Sequence, residues 1–387
     1  MHKYQRHNPK LKVLVIVKNI DGGTGTFLID LLKLNKIAKN IIEIKTLALE
    51  HPSFRTYTIS NIEFVRAKNS YPQKYSLSPF NFINFIYELI WINEYLLTFS
   101  PNIVMGVDLR CNLLAILTKL FFKHKIKTIV TTHVDLASLT LNISGGIVRY
   151  FLKTSIHFFY EKTDALVCVS KNLSSHLKKD FAIQKDIQTI YCGRKFTDHK
   201  PRLFPNNKKI IILSVARLSQ QKDYDTLIRA FKLFKSDCQN SELWIAGDGP
   251  EKQRLKKQVE VFQLTKDVKF LGWVKNTNTI YNRSDIFVLS SKFEGFGYVL
   301  IEAMSNGLPI ISTNSPYGPS EVLAGGKYGI LVPIGNEKLM KKSMFDLIRS
   351  KSYYEYFSSL SLERSKYFSE YKMLNSYRNI FENVLEK

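Results

Sequence analysis

Cysteine is scarce in this chain of 387 residues: there are four, at 111, 168, 192 and 238, and no two form a C-x-x-C pair. That spacing excludes a disulfide framework and a thiolate zinc site, and it fits a reducing compartment. Cys168 lies in an apolar run, where a buried free thiol is expected. Uninterrupted apolar segments are also lacking. The most lipid-like stretch, Phe80–Phe99, is broken by Asn81, Asn84, Glu88, Asn93 and Glu94, too many polar groups for a membrane-spanning helix. The first twelve residues are polar and basic without the apolar core of a signal peptide. The expected location is therefore cytoplasmic, with the inner face of the cell membrane as the one alternative. Zinc-finger spacing, RNP-like runs and arginine clusters are missing, so nucleic acid is not an expected partner. Acidic residues are few: 33 Asp and Glu against 56 Lys and Arg give a net charge of +23. Residues 1–200 carry +14 of that and the remainder +9. The excess either favours an anionic partner, such as a phosphate-bearing substrate or an anionic lipid surface, or is a solvated lysine-rich face.

What the chain does have is regular alternation of strand-length apolar runs with helix-length amphipathic stretches, the pattern of parallel α/β sheets. Strands are expected at Leu11–Val17, Ile41–Leu49, Ile62–Val65, Ile103–Val107, Ile126–Thr132, Ala165–Val169 and Ile187–Tyr191. Helices are expected between them at Thr24–Ala38, Phe80–Leu97, Asn112–Phe122 and Gly146–Tyr160. The rhythm lapses between Cys192 and Lys209, where a polar segment with Pro201, Pro205 and paired asparagines reads as a linker. It restarts with strands at Ile210–Val215, Leu243–Ala246, Val268–Leu271, Ile286–Leu289, Leu308–Ser312 and Gly329–Val332, and ends in helix. The fold class is α/β, with two Rossmann-like domains at 1–198 and 199–370 and a terminal helix at 371–387 that packs back on the first. Ligands in such folds sit at the C-terminal ends of the strands.

One segment says most about chemistry. After the strand Ile286–Leu289 come Glu294, the turn Gly295-Phe296-Gly297, and a helix Tyr298–Asn306 that carries Glu302 in its second turn. The glycines hold the two carboxylates apart and let backbone approach a ligand, while the helix start offers free N–H groups to a phosphate. By itself, strand–Gly-turn–helix is common in α/β proteins. The sequence from Glu294 through Glu302 to Ala303-Met304-Ser305-Asn306-Gly307-Leu308-Pro309, however, resembles the signature of the retaining glycosyltransferases of family 4. So do Asn314-Ser-Pro-Tyr-Gly-Pro-Ser-Glu321 and Gly326-Lys-Tyr-Gly-Ile-Leu-Val-Pro333. The resemblance is strong over about 210–335 and diffuse over the first 200 residues. It implies a GT-B fold, two Rossmann-like domains facing across a cleft.

The first strand of the second half is followed by Arg217 and Lys222, two cations suited to a diphosphate whose charge grows as its bond to a sugar breaks. Read alone, they are as well explained as solvated loop residues. The resemblance makes them stabilisers of the leaving group. Glu302 is then implied to hold ribose hydroxyls, and Gly295, Phe296 and Gly297 to present backbone to the donor sugar and distal phosphate. Glu294 is implied to touch and position the sugar. Gly247, in the Gly247-Asp248-Gly249-Pro250 loop, is implied to line the nucleotide pocket; that loop is also a sound structural turn.

In the first half, Gly22 and Gly23 follow the opening strand, where backbone can approach a phosphate or sugar. A nicotinamide-binding reading of Gly23-x-Gly25 fails for want of a third glycine at Leu28 and because Glu43 falls near the start of its strand. His133 closes the strand at Ile126–Thr132, and the resemblance implies a polar contact to the transferred sugar; Asp135 after it is a sugar contact or a helix cap. The pair Asp223 and Asp225 matches the D-x-D string of metal-dependent transferases but sits at a helix start, where aspartate satisfies N–H groups and the dipole. Neither metal nor cofactor is expected. Arg194 and Lys195 stand where relatives commonly have Asn-Pro, a departure at the inter-domain linker.

The expected activity is retaining, metal-independent transfer of a hexose or N-acetylhexosamine from a nucleotide diphosphate sugar, taken to be UDP, to a glycan or polyprenyl-linked acceptor. The aromatic helix Phe80–Phe99 and the basic segments Lys119–Lys127 and Arg149–Lys153 could rest on an anionic membrane, or form a core helix with a solvated rim. The alternatives are a sugar-nucleotide 2-epimerase of the same fold and a basic sugar- or nucleic-acid-binding protein without activity.

Overall fold

The computed structural model describes residues 10–18, 20, 22–38, 41–50, 62–64, 79–122, 125–133, 146–195, 199–206 and 209–386. The chain divides into two compact units. One comprises residues 1–169, 174–190 and 374–387, the other residues 170–173 and 191–373.

In the first unit the described residues form one seven-stranded parallel sheet. Its strands are β1 (Leu11–Val17), β2 (Ile42–Ala48), β3 (Ile62–Phe64), β4 (Ile103–Val107), β5 (Lys127–Thr132), β6 (Ala165–Cys168) and β7 (Ile187–Thr189), in the order β3-β2-β1-β4-β5-β6-β7. β1 and β4 are apolar on both faces because helices cover both, as parallel sheets require. Each fully buried Leu or Ile there contributes about 2 kcal/mol. The second unit has a six-stranded parallel sheet of β8 (Ile210–Val215), β9 (Ser241–Ala246), β10 (Val268–Gly272), β11 (Ile286–Leu289), β12 (Ile310–Thr313) and β13 (Ile330–Val332), in the order β10-β9-β8-β11-β12-β13.

In each sheet the strand order reverses once, between β1 and β4 and between β8 and β11. At such a switch point the two following loops diverge and leave a crevice above the strand ends. The loop after β8 carries Arg217 and Lys222, and the loop after β11 carries Glu294. The helix that follows β1 opens on Gly22 and Gly23.

Some expectations shift. The first helix begins at Gly22, not Thr24, and is split into Gly22–Leu31 and Leu34–Ile37. The helix expected at Asn112 begins at Asp108. A further helix, Lys171–Asp180, lies between β6 and β7. The aromatic helix, observed as Pro79–Phe99, packs Phe85, Leu89, Ile92, Leu96 and Phe99 into the core of its unit while Ile86, Tyr87, Ile90 and Leu97 stay exposed. The core reading therefore holds for one face. Its Glu88 is bonded by Arg110 Nε at 2.9 Å. Two cations of the basic segment Lys119–Lys127 are paired: Lys119 Nζ lies 2.6 Å and Lys127 Nζ 3.7 Å from the carboxylate of Asp164. All four thiols are free, and burial pushes that of Cys168 up to about 12.

Candidate active site

In the second unit, β11 delivers its chain end into the turn that holds Glu294. The carboxylate is buried, with Oε1 2.5 Å from Lys222 Nζ and 2.6 Å from the donating hydroxyl of Ser291. Lys222 ends a short 3₁₀ turn, Gln220–Lys222, that is stitched to the same strand end. Ser290 Oγ donates to Lys222 O at 2.7 Å, Gln221 Nε2 to Phe293 O at 2.8 Å, and Lys292 N to Gln221 O at 2.8 Å. Two expected site residues, 72 positions apart, are thus joined by an ion pair at the β8/β11 switch point. Arg217 sits five residues before Lys222 on the same loop and is exposed. Gly247 directly follows β9, donates its N–H to Gly272 O at 2.7 Å and packs backbone to backbone on Ala216, so it buttresses the Arg217 loop.

Gly297 has φ +85°, a left-handed conformation that suits glycine, and opens the helix Tyr298–Ser305. Glu302 lies on that helix and is buried. Its Oε1 is 2.5 Å from Arg194 Nη1, and its Oε2 accepts the hydroxyl of Tyr281 at 2.9 Å. Arg194 Nη2 donates to Asn278 Oδ1 at 2.6 Å. Burial is the largest influence and pulls the Arg194 guanidinium down, but electrostatic interactions with Glu302, Tyr298 and Tyr281 and the Glu302 hydrogen bond together hold it above its ordinary range. Burial first and Glu302 second push the Tyr281 hydroxyl up, so it remains a donor.

Residues 170–173 belong to this unit and brace the same turn. Ser170 Oγ donates to Gly295 O at 3.0 Å. The Glu321 carboxylate accepts the backbone N–H groups of Lys171 and Asn172, both at 2.9 Å, and the hydroxyl of Tyr191 at 2.5 Å. Reading along the chain could not find Ser170, Tyr281 or this role of Glu321. Their partners are remote in sequence, and a serine or tyrosine inside an apolar stretch carries no signal of its own.

The D-x-D string is corrected in detail. The helix starts at Tyr224, and Asp223, in a left-handed conformation, accepts the Thr226 hydroxyl at 2.8 Å instead of capping backbone with its side chain. Asp225 is held bidentately by Arg254 at 2.7 and 2.5 Å.

In the first unit, His133 and the Gly22 helix come together. Phe27, on the helix Gly22–Leu31, places its ring 4.5 Å from the imidazole, and the ring of Tyr377 lies 5.4 Å from that of Phe27. The backbone N–H of His133 donates to Asp108 Oδ1 at 3.1 Å, and Nε2 has no hydrogen-bond partner among the described residues. Asp108, Phe27 and Asn112, which bonds β5 through Thr131 O at 2.9 Å, are supports the sequence did not single out. Asp135 lies outside the described residues.

Burial lowers the His133 imidazole to about 4, so it is neutral at neutral pH. A histidine whose folded pKa is depressed binds protons more readily in the unfolded chain, so stability is lost as the pH drops from about 6.5 to about 4. Thermal unfolding of the wild type should therefore lose on the order of 3 kcal/mol across that window relative to His133→Gln. Parallel pH profiles for the two proteins would refute the neutral assignment.

The comparisons with known proteins fall on both units. The model for Glycosyltransferase Family 4 matches residues 22–195, and that for Glycosyl transferases group 1 matches 195–363. The chain belongs to the family 4 glycosyltransferases. Family 4 members transfer sugar from a nucleotide donor, and this enzyme has their GT-B fold. It is 26% identical over 281 residues to the N-acetyl-alpha-D-glucosaminyl L-malate synthase of Bacillus anthracis, covering 70% of this chain and 71% of the other. It is 27% identical over 235 residues to the N-acetylgalactosamine-N,N'-diacetylbacillosaminyl-diphospho-undecaprenol 4-alpha-N-acetylgalactosaminyltransferase of Campylobacter jejuni, covering 60% of this chain and 63% of that one. Among solved structures, sucrose-phosphate synthase from Thermosynechococcus elongatus superposes with a TM-score of 0.80 at 16% identity, over 97% of this chain and all of the other. The Anabaena protein HepE, solved with UDP and glucose, gives 0.74 at 16% identity, over 96% of this chain and all of the other. At that identity the two structures speak for the fold of this glycosyltransferase alone.

Proposed function

We propose that this glycosyltransferase moves a hexose or N-acetylhexosamine from a UDP-sugar to a hydroxyl of a glycan or polyprenyl-linked sugar, with retention and without a metal ion. The observation that carries the reading is the ion pair of Lys222 with Glu294 at the β8/β11 switch point. In this reading the donor diphosphate draws Lys222 away from Glu294 and onto its distal phosphate, and Arg217 adds a second positive charge from the same loop. Glu294 is released to accept hydroxyls of the sugar. Gly295, Phe296 and Gly297 present backbone N–H groups, and the positive end of the Tyr298 helix faces the phosphate. Glu302 holds the ribose diol, and Gly247 lines the nucleotide side. Gly22, Gly23 and His133 serve the transferred sugar, His133 as a neutral hydrogen-bonding imidazole.

The acceptor oxygen attacks the anomeric carbon on the face from which UDP leaves. The bond from that carbon to the phosphate oxygen breaks as the new glycosidic bond forms, and the acceptor proton passes to the departing phosphate. Two cations offset the charge that develops there, the role a divalent ion plays elsewhere. Support for doing without the ion comes from the D-x-D string, where Arg254 holds both oxygens of Asp225.

UDP is favoured by the fold shared with a protein solved with UDP and glucose. A lipid-linked acceptor is favoured by the undecaprenol in the name of the Campylobacter relative. Exposed Tyr87 on one helix, and Tyr150, Phe151 and Phe158 on the helix Gly146–Glu161, supply aromatic side chains for a headgroup layer. No helix among the described residues is long and apolar enough to cross a membrane. Flotation should bring the enzyme up with anionic vesicles, and Tyr150→Ser/Phe151→Ser should stay at the bottom; a wild type that never floats removes the membrane contact.

The reaction is tested by offering a panel of nucleotide sugars and following each by mass spectrometry. The expected result is consumption of UDP-sugars, dependent on Glu294. Isomerisation of the donor without acceptor would indicate the 2-epimerase instead. Calorimetry showing no affinity for UDP or GDP would overturn the assignment.

A further inference from the structure

Arg194 follows the strand β7 at the start of the linker, and its side chain runs to the second carboxylate of the motif. Its backbone is pinned on both sides. Arg194 N donates to Phe368 O at 2.9 Å, and Glu370 N donates to Arg194 O at 3.0 Å. Tyr298, the first residue of the Glu302 helix, donates its hydroxyl to the neighbouring Gly193 O at 3.1 Å. From that fixed base the guanidinium forks, one arm on Glu302 and the other on Asn278. A buried carboxylate needs a counter-charge and directed donors, and a planar fork supplies both with little loss of freedom.

We propose that Arg194 is a positioning residue for the nucleoside half of the donor: together with Tyr281 it sets the plane of the Glu302 carboxylate so that both oxygens meet the ribose 2′- and 3′-hydroxyls. Arg194 approaches one oxygen of Glu302 and Tyr281 the other, so the carboxylate is fixed at both ends. An ionised carboxylate accepts along about four directions, in the plane that these two donors fix. A vicinal diol presents two donors side by side, the complement of a carboxylate whose plane is locked. Asn278 completes the device by holding the far arm of the fork, which prevents the guanidinium from swinging toward the diphosphate.

This inference rests on the reading of Glu302 as the ribose contact, and the test separates the two. Calorimetry compares UDP with 2′-deoxy-UDP on the wild type, Arg194→Met, Arg194→Lys and Asn278→Ala. The wild type is expected to prefer UDP by roughly tenfold or more, the worth of a hydrogen bond to a charged group. Arg194→Met should bring that preference close to one while leaving 2′-deoxy-UDP affinity nearly unchanged. Arg194→Lys and Asn278→Ala, milder changes that keep a folded core, should fall between. If the variants bind more weakly but keep the wild-type preference, Arg194 is structural and the proposal is wrong although Glu302 still holds ribose. If the wild type itself shows no preference, the ribose reading of Glu302 fails and takes the proposal with it. Melting curves for each variant identify any that do not fold, and Asn278→Ala then decides alone.

Discussion

Replacing Lys222 with methionine should cost the enzyme both stability and nearly all transfer, and the two losses should come apart in a second variant. Glu294 is buried and Lys222 half-buried, and the two are 2.5 Å apart. Removing the ammonium leaves a buried carboxylate whose remaining side-chain donor among the described residues is Ser291. An uncompensated buried charge costs about 3 kcal/mol or more. For a unit of this size that is a drop in melting temperature of roughly 6–10 °C. Adding Glu294→Gln removes the stranded charge, and the double variant should melt within a few degrees of the wild type. Activity follows a different rule. If Lys222 stabilises the departing diphosphate, its loss should lower kcat about 10²- to 10³-fold, the usual cost of one preorganised donor to a developing anion. The double variant should recover no rate. Thermal melts and donor turnover on the same preparations check both halves. A single variant within tenfold of the wild-type kcat would remove Lys222 from the chemistry and leave it a structural cation.

The sheets were legible because parallel strands covered on both faces must be almost continuously apolar, and runs such as Leu11–Val17 and Ile286–Leu289 leave little room for another reading. Errors fall where a strand continues through polar residues. β9 begins at Ser241, two residues before its apolar run, because Lys209 and Lys269 hold the Glu242 carboxylate and Trp244 donates to it at 2.9 Å. Burial would raise that carboxyl, and the three donors bring it down to about 2. The helix Lys171–Asp180 escaped notice because its sequence is mostly Lys, Asn, Ser and His, with Leu173 and Leu177 as its only buried apolar anchors. The proposed site residues can be named from the sequence by type and loop position. Their pairing cannot: Arg194 meets Glu302 across 108 residues, and only the fold decides that a linker arginine points inward.

The sharpest test of the turn between the two glutamates is a single methyl group on Gly318. A Cβ built there would lie 2.3 Å from Phe296 O and 2.4 Å from Phe296 C and Cα, backbone atoms that no rotamer change can move. The turn has little room to retreat. Ser170 holds Gly295 O at 3.0 Å, the rings of Tyr191 and Phe368 stand 6.1 and 5.5 Å from that of Phe296, and Glu294 pairs through its backbone with Tyr317. Gly318→Ala must therefore push the Gly295–Gly297 backbone away by something on the order of 1 Å, with an overpacking cost of about 2–3 kcal/mol. If that backbone binds the donor phosphate and sugar, such a displacement should lower kcat/KM for the donor about 10²-fold. Gly146→Ala is the matching control: among the described residues nothing lies within 4 Å of its Cβ position at the exposed start of a helix, so it should be neutral or slightly stabilising. A Gly318→Ala enzyme that is destabilised yet keeps wild-type donor kinetics would mean that the turn shapes the fold and that the donor is bound elsewhere.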